Sequence, residues 1–77
     1  MDDQSKLFID IKEKLVQQNR ATEDIEEVEK AFEFAKKLHQ GQYRVSEEPY
    51  IIHPVEVVKI LVDLKADTHT LMAGFLH

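Results

Sequence analysis

The stretch from Thr22 to Gly41 constrains the fold of this chain more than any other part of it. Its carboxylates fall in the first turn and Lys36 and Lys37 in the last, which suits the dipole of a helix. Thr22 is predicted to cap this helix, and Gly41 is the residue type that most easily follows a helix end in the left-handed conformation. Its apolar residues recur at helical spacing and form one stripe of Ile25, Val28, Phe32, Ala35 and Leu38. Ala31 lies beside this stripe and Phe34 at its edge.

Three further segments have the same helical spacing of apolar residues. The first covers roughly residues 4–18, the next begins at Pro54, where proline suits the first position of a helix, and the last follows Asp67, a predicted N-cap. The sequence therefore predicts an all-α fold of short helices. Their predicted buried residues are Leu7, Phe8, Ile11 and Leu15, then Val55, Val58, Leu61, Val62 and Leu64, then Leu71, Met72, Phe75 and Leu76.

Length and charge limit the classes of protein to which the chain can belong. At 77 residues without cysteine, it is one domain at most and has no disulfide or thiolate metal site. Its net charge of −5 argues against binding of nucleic acid, which normally requires a basic face. The apolar runs are short and broken by charge, so we expect no membrane span and a cytoplasmic location.

The predicted fourth helix is still apolar where the sequence reaches His77. No stop signal follows its last residues, GFLH, which predicts that the chain is a fragment cut from a longer polypeptide. Leu71, Phe75 and Leu76 would then lack the later helices that cover them. We accordingly expect either marginal stability or a homo-oligomer formed through the fourth helix.

Residues 39–54, HQGQYRVSEEPYIIHP, are dense in polar chemistry for a connection between helices. His39 suits a helix end, whereas His53 and His77 flank predicted helices and could reach one pocket. Arg44 could stack on a base or bind phosphate, or form a weak surface ion pair with Glu47 or Glu48. Ser46 and Tyr50 are either ligand hydroxyls or loop-packing residues. From the residues alone, these alternatives stay open.

The loop and its flanks carry a longer resemblance. The string AFEFAKKLHQGQYRVSEEPYIIHPVEVVKIL, followed by DTHTLMAGFLH, resembles the start of the hydrolase domain of the Rel/SpoT enzymes, the bifunctional synthetase/hydrolases of the alarmone (p)ppGpp. The family pattern there is H-x-G-Q-x-R-K-S-G-E-P-Y-I-x-H-P. The resemblance covers residues 25–77, and it implies that residues 1–77 are the N-terminal part of a single HD-type phosphohydrolase domain, truncated.

The resemblance also implies a reaction and a set of site residues. The reaction is removal of pyrophosphate from the 3′ position of (p)ppGpp, in the stringent response. His53 and His77 would be two of four ligands to Mn²⁺, and imidazole suits that ion. Arg44 would lie against guanine, Ser46 at its edge, and Tyr50 would shape the pocket, while His39 and Gln42 would support the loop. The catalytic groups would follow His77, so we expect the 77-residue chain alone to be inactive.

Two positions depart from the family pattern. Val45 stands where Lys or Arg is usual, which removes a cation near the nucleotide. Glu47 stands where Gly is usual, so the turn must avoid a positive φ or accept strain. Two alternatives to a Rel/SpoT enzyme also follow from the sequence: a stand-alone HD hydrolase of another 3′-phosphorylated nucleotide, and a non-catalytic helical module for oligomerisation.

Overall fold

The computed structural model describes residues 3–76, which fold into a short 3₁₀ turn followed by helices only. The turn covers Asp3–Lys6, and the helices are α1 (Leu7–Gln17), α2 (Thr22–Leu38), α3 (Ile52–Asp63) and α4 (Thr68–Leu76). The predicted all-α fold is confirmed. None of the helices in this described range has the length and apolarity that crossing a bilayer requires.

Three aromatic rings from three helices form the centre of the core. The Phe8 and Phe32 rings are stacked with their centroids 5.3 Å apart, and the edge of one ring meets the face of the other in the Phe32–Phe75 pair, at 5.6 Å. Such pairs contribute roughly 0.5–1.5 kcal/mol each beyond the area they bury. Helix α4 contacts both α2 and α3, and α1 also contacts both of them. The three rings therefore lie where the helices meet, at the centre of one core.

Helix α2 follows the predicted stripe, with corrections at both ends. Ile25, Val28, Phe32 and Ala35 are buried, as is Ala31. Leu38 is more than half exposed, because it lies in the last turn, where the helix extends past the core. At the other end Ala21, not Thr22, is the N-cap: its carbonyl accepts from the Ile25 N–H at 3.0 Å, and no side chain caps the helix.

Helices α1 and α3 end in the same way and against each other. Each is followed by a non-glycine residue with positive φ, Asn19 at 60° and Lys65 at 59°. In both, the N–H groups of this residue and of the residue after it donate to carbonyls of the last helical turn. These bonds satisfy carbonyls that have no partner within the helix. The α1 end also reaches the α3 end directly, since Gln18 Nε2 donates to the Val62 carbonyl at 2.8 Å and Arg20 Nη2 donates to the Ala66 carbonyl at 2.7 Å.

Helix α4 begins as the sequence predicts. The Asp67 carboxylate accepts a hydrogen bond from the Thr70 N–H at 2.8 Å, so Asp67 is the N-cap. The expectation that Leu71 and Phe75 lack cover is wrong, because both are buried against the other helices of this chain. Leu76 alone of those three stays about half exposed, and Leu64, predicted to be buried at the end of α3, is exposed. Oligomer formation through α4 stays a prediction.

Candidate functional site

The connection between α2 and α3 folds as a tight hairpin. Tyr50 N–H donates to the Gln42 carbonyl at 2.9 Å, and Arg44 N–H donates to the Glu48 carbonyl at 2.8 Å. These bonds lie on either side of an antiparallel bridge between Tyr43 and Pro49. Proline has no N–H to donate, so the pairing depends on the residues next to it. The hairpin carries residue 50 back to the end of α2, where α3 begins.

The tip of the hairpin is a turn that a glycine would fit better. The Glu47 N–H donates to the Arg44 carbonyl at 2.8 Å, and Glu47 has a φ of 70°. The left-handed region costs a side-chain-bearing residue roughly 1–2 kcal/mol, which glycine avoids. The sequence left open whether this turn avoids a positive φ or accepts strain. Glu47 adopts the positive φ, so the turn accepts the strain. Gly41, with a φ of 79°, has the predicted left-handed conformation just after α2.

Helix α3 begins earlier than the sequence predicts. Pro54 is its third residue rather than its first, because the Ile52 and His53 N–H groups already donate to the Pro49 and Tyr50 carbonyls at 3.1 Å each. Proline is still accommodated, since the first turn of a helix needs no donor at that position. His53 therefore lies in the first turn of α3, with an exposed side chain.

A cleft of about 350 Å³ lies where the end of α2, the hairpin, the start of α3 and the end of α4 meet. Two of the sequence-predicted site residues, Tyr50 and His53, line it. So does His39, to which the sequence gave only a supporting role. The cleft thus combines imidazole and phenol groups with an apolar wall. The full lining is His39, Tyr50, His53, Pro54, Val57, Ala73, Gly74 and Phe75.

His39 and Tyr50 pack against each other in this cleft. Their ring centroids are 4.4 Å apart, with the planes tilted by 32°. On its other side, His39 Nδ1 lies 3.0 Å from Gln42 Oε1, and Gln42 Nε2 donates to the Leu38 carbonyl at 3.4 Å. The last turn of α2 and the start of the hairpin are joined by these contacts.

Arg44 and Ser46 are not among the residues that line the cleft. Both lie exposed near the hairpin tip, and the Arg44 guanidinium lies 3.9 Å from the Glu48 carboxylate. This is the surface ion pair that the sequence offered as one alternative, and exposed pairs of this kind contribute little. The pair leaves Arg44 free to exchange Glu48 for another anion or for a planar group.

The predicted metal ligands are described only in part. His53 is in the cleft, but His77 lies outside the described residues. Within residues 3–76, no three histidine or acidic side chains come close enough together to hold a metal ion. The end of α4 nevertheless reaches the cleft through Gly74 and Phe75, so the helix that leads to position 77 and the helix that holds His53 meet there.

Sequence reasoning missed Gly74. A β-carbon at this position would lie 2.9 Å from Val58 Cγ2 and 3.2 Å from Leu61 Cδ1, so only glycine lets α4 lie this close to α3. The sequence offered only a weak signal, because an isolated glycine inside a helical pattern costs helix propensity but does not show which element approaches it. His39 was missed as a cleft residue because its neighbour Tyr50 is distant along the chain.

Comparison with known proteins agrees with this architecture. The family model described as HD domain matches residues 31–77, more than half of the chain. The chain therefore belongs to the HD-domain family. Within that family, its relatives confirm the resemblance to the Rel/SpoT enzymes. It is 44% identical over 63 residues to the bifunctional (p)ppGpp synthase/hydrolase SpoT of Escherichia coli, a match that covers 82% of this chain and 9% of that protein.

Two further relatives carry related names. A guanosine-3′,5′-bis(diphosphate) 3′-pyrophosphohydrolase of Vibrio cholerae is 44% identical over 72 residues, which is 92% of this chain and 10% of that protein. A GTP pyrophosphokinase of Myxococcus xanthus is 44% identical over 62 residues, or 80% of this chain and 8% of that protein. The chain thus spans about a tenth or less of the length of these curated relatives.

Proposed function

We propose that this chain forms part of the hydrolase site of a guanosine-3′,5′-bis(diphosphate) 3′-pyrophosphohydrolase of the stringent response. The reaction removes pyrophosphate from the 3′ position of (p)ppGpp and leaves GDP or GTP. The observation that carries the proposal is the single cleft that His53, Tyr50 and the end of α4 line together, in a chain of the HD family. A synthetase (GTP pyrophosphokinase) domain would accompany it, as the name of one relative suggests.

A divalent metal ion, which we propose is Mn²⁺, would be held by His53, with His77 as a second ligand. The exposed imidazole of His53 in the first turn of α3 suits this role, because neutral histidine nitrogen is a good ligand for such ions. When bound, such an ion polarises a phosphoryl oxygen and lowers the pKa of water. The described residues do not complete the ligand set, so the remaining ligands would come from residues beyond this range.

The protein's own residues would bind and orient the nucleotide. Tyr50 lines the cleft, and its ring and hydroxyl would both be available to the nucleotide there, beside the apolar wall of Val57, Ala73 and Phe75. Arg44, at the hairpin tip, carries a planar cation that can stack on guanine once it leaves Glu48. Ser46 on the same tip would contact the edge of the base. Val45, exposed on the tip, supplies no charge there.

A hybrid enzyme provides the test. This chain replaces the segment that it matches in the E. coli bifunctional enzyme, and (p)ppGpp hydrolysis and synthesis are measured on the same preparation, which we call the hybrid. The proposal predicts Mn²⁺-dependent hydrolysis by the hybrid. Absent hydrolysis would contradict it in a hybrid that retains synthesis, helical content and the thermal transition of the E. coli enzyme, because a folded segment would then have failed to supply its part of the site.

A further inference from the structure

The orientation of the Gln42 amide favours one tautomer of His39. Gln42 Nε2 is the amide's only donor atom, and it faces the Leu38 carbonyl, which can only accept. The amide oxygen is therefore the atom 3.0 Å from His39 Nδ1. Since an oxygen without a proton cannot donate, His39 Nδ1 must carry the proton, and Nε2 of the neutral ring is left as an acceptor.

The fixed His39 ring in turn limits where the Tyr50 ring can lie. The two rings are in contact at 4.4 Å, and the Tyr50 side chain is otherwise more than a third exposed. The backbone of Tyr50 is anchored on both sides, because its N–H donates to the Gln42 carbonyl and its carbonyl accepts from the His53 N–H. His39 thus supplies a ring contact that restricts the side chain, while the hairpin bonds hold the backbone.

We propose that His39 is a positioning residue for the nucleotide cleft. Held in one tautomer by Gln42, its ring keeps the Tyr50 ring against the cleft wall next to His53, so that the cleft is formed before a guanine nucleotide enters. This inference rests on the proposed function for the identity of the ligand, but the contacts of His39 do not depend on it. His39 acts through Tyr50 and takes no part in the bond-breaking step.

Nuclear magnetic resonance on the 77-residue chain tests the contacts without any activity. Long-range proton–nitrogen correlations of the imidazole rings, recorded at a pH where the rings are neutral, should show the proton of His39 on Nδ1. Cross-relaxation should connect the His39 and Tyr50 rings. Gln42→Leu should move the proton to Nε2, whereas His69, which is exposed in the first turn of α4, should not change. A His39 proton on Nε2 in the unaltered chain would overturn the proposal.

Kinetics of the hybrid test the consequence. His39→Ala should raise KM for (p)ppGpp about three- to tenfold, the range that an aromatic contact contributes, and should leave kcat nearly unchanged. His39→Phe, which keeps a ring against Tyr50, should restore most of the affinity. Lys37→Ala, on the exposed side of the same turn, is the matched control and should change neither constant. Circular dichroism and thermal unfolding of the 77-residue chain carrying the same substitution show that each variant is folded.

Two outcomes separate this proposal from the proposed function. An unaltered hybrid that synthesises but does not hydrolyse (p)ppGpp would contradict the function, while the spectra of the 77-residue chain would still decide the role of His39. An active hybrid in which His39→Ala has the same KM, or loses kcat alone, would overturn the positioning role and leave the function intact.

Discussion

Gly74 lies so close to Val58 that a β-carbon at position 74 would stand 2.9 Å from Val58 Cγ2. This approach holds the second half of α4 against the middle of α3, and Gly74 itself lines the cleft. Because Val58 is buried and β-branched, it has little room to move. The width of the cleft therefore depends on the absence of a single methyl group.

Gly74→Ala should lower the free energy of unfolding by roughly 1–3 kcal/mol, although alanine is the better helix former, because overpacking outweighs propensity. Urea unfolding monitored by circular dichroism measures this change. The double variant with Val58→Ala should lose less stability than the sum of the two single variants, since the methyl groups that clash are also the ones removed. Equal stability of the Gly74→Ala and unaltered chains would show that the two helices are not in this contact.

Glu47→Gly should raise the free energy of unfolding by about 1 kcal/mol, because glycine adopts the positive φ of the hairpin tip without strain. Ser46→Gly is the matched control, since position 46 has no positive φ and gains only flexibility in the unfolded state. The two variants are compared by thermal and urea unfolding. If both change stability alike, the tip is not strained at position 47.

The pKa of the Asp67 carboxyl is lowered from its ordinary value of 3.8, chiefly by hydrogen bonds from the Thr70 hydroxyl and N–H. These bonds exist only in the folded chain, so the stability they add is complete above that ordinary value and is lost as the pH falls through the lowered pKa. The unaltered chain should therefore melt at a higher temperature than Asp67→Asn at pH 7, and the difference should vanish in strong acid. A difference independent of pH would contradict this origin.

The parts of the fold that could be predicted are those governed by short-range pattern. The spacing of apolar residues in α2 predicts its buried face. Asp67 could be predicted as the N-cap of α4, because an aspartate just before a helix can accept from the free backbone N–H groups of its first turn. Leu38 and Leu64 are exposed despite fitting their stripes, since the spacing of a helix does not reveal where its neighbour ends.

The cleft could be predicted only in part, because it depends on contacts between residues distant in sequence. The motif pointed to Tyr50 and His53, but the packing of His39 on Tyr50 follows from a hairpin that the sequence does not signal. That hairpin has only one bridge, and one of the two bridged residues is a proline. Its sequence therefore lacks the run of alternating apolar and polar residues from which strands are usually predicted. The close approach at Gly74 likewise needs the positions of both helices.

Arg44→Ala in the hybrid should raise KM for (p)ppGpp by about tenfold with little change in kcat, because stacking on a base acts equally in the ground and transition states. Glu48→Ala removes only the ion-pair partner of Arg44 and is the matched control. It should leave KM unchanged or lower it, since Arg44 is then released. Equal increases in KM for both variants would mean that Arg44 serves the hairpin rather than the nucleotide.

His53→Ala in the hybrid tests the central claim most directly. We expect (p)ppGpp hydrolysis to fall by at least about a hundredfold, because the cleft loses the imidazole that would hold the metal ion. Synthesis by the same preparation should continue, and His69→Ala should leave both activities unchanged. Hydrolysis at the unaltered rate by the His53→Ala hybrid would contradict the account and would remove this cleft from the reaction.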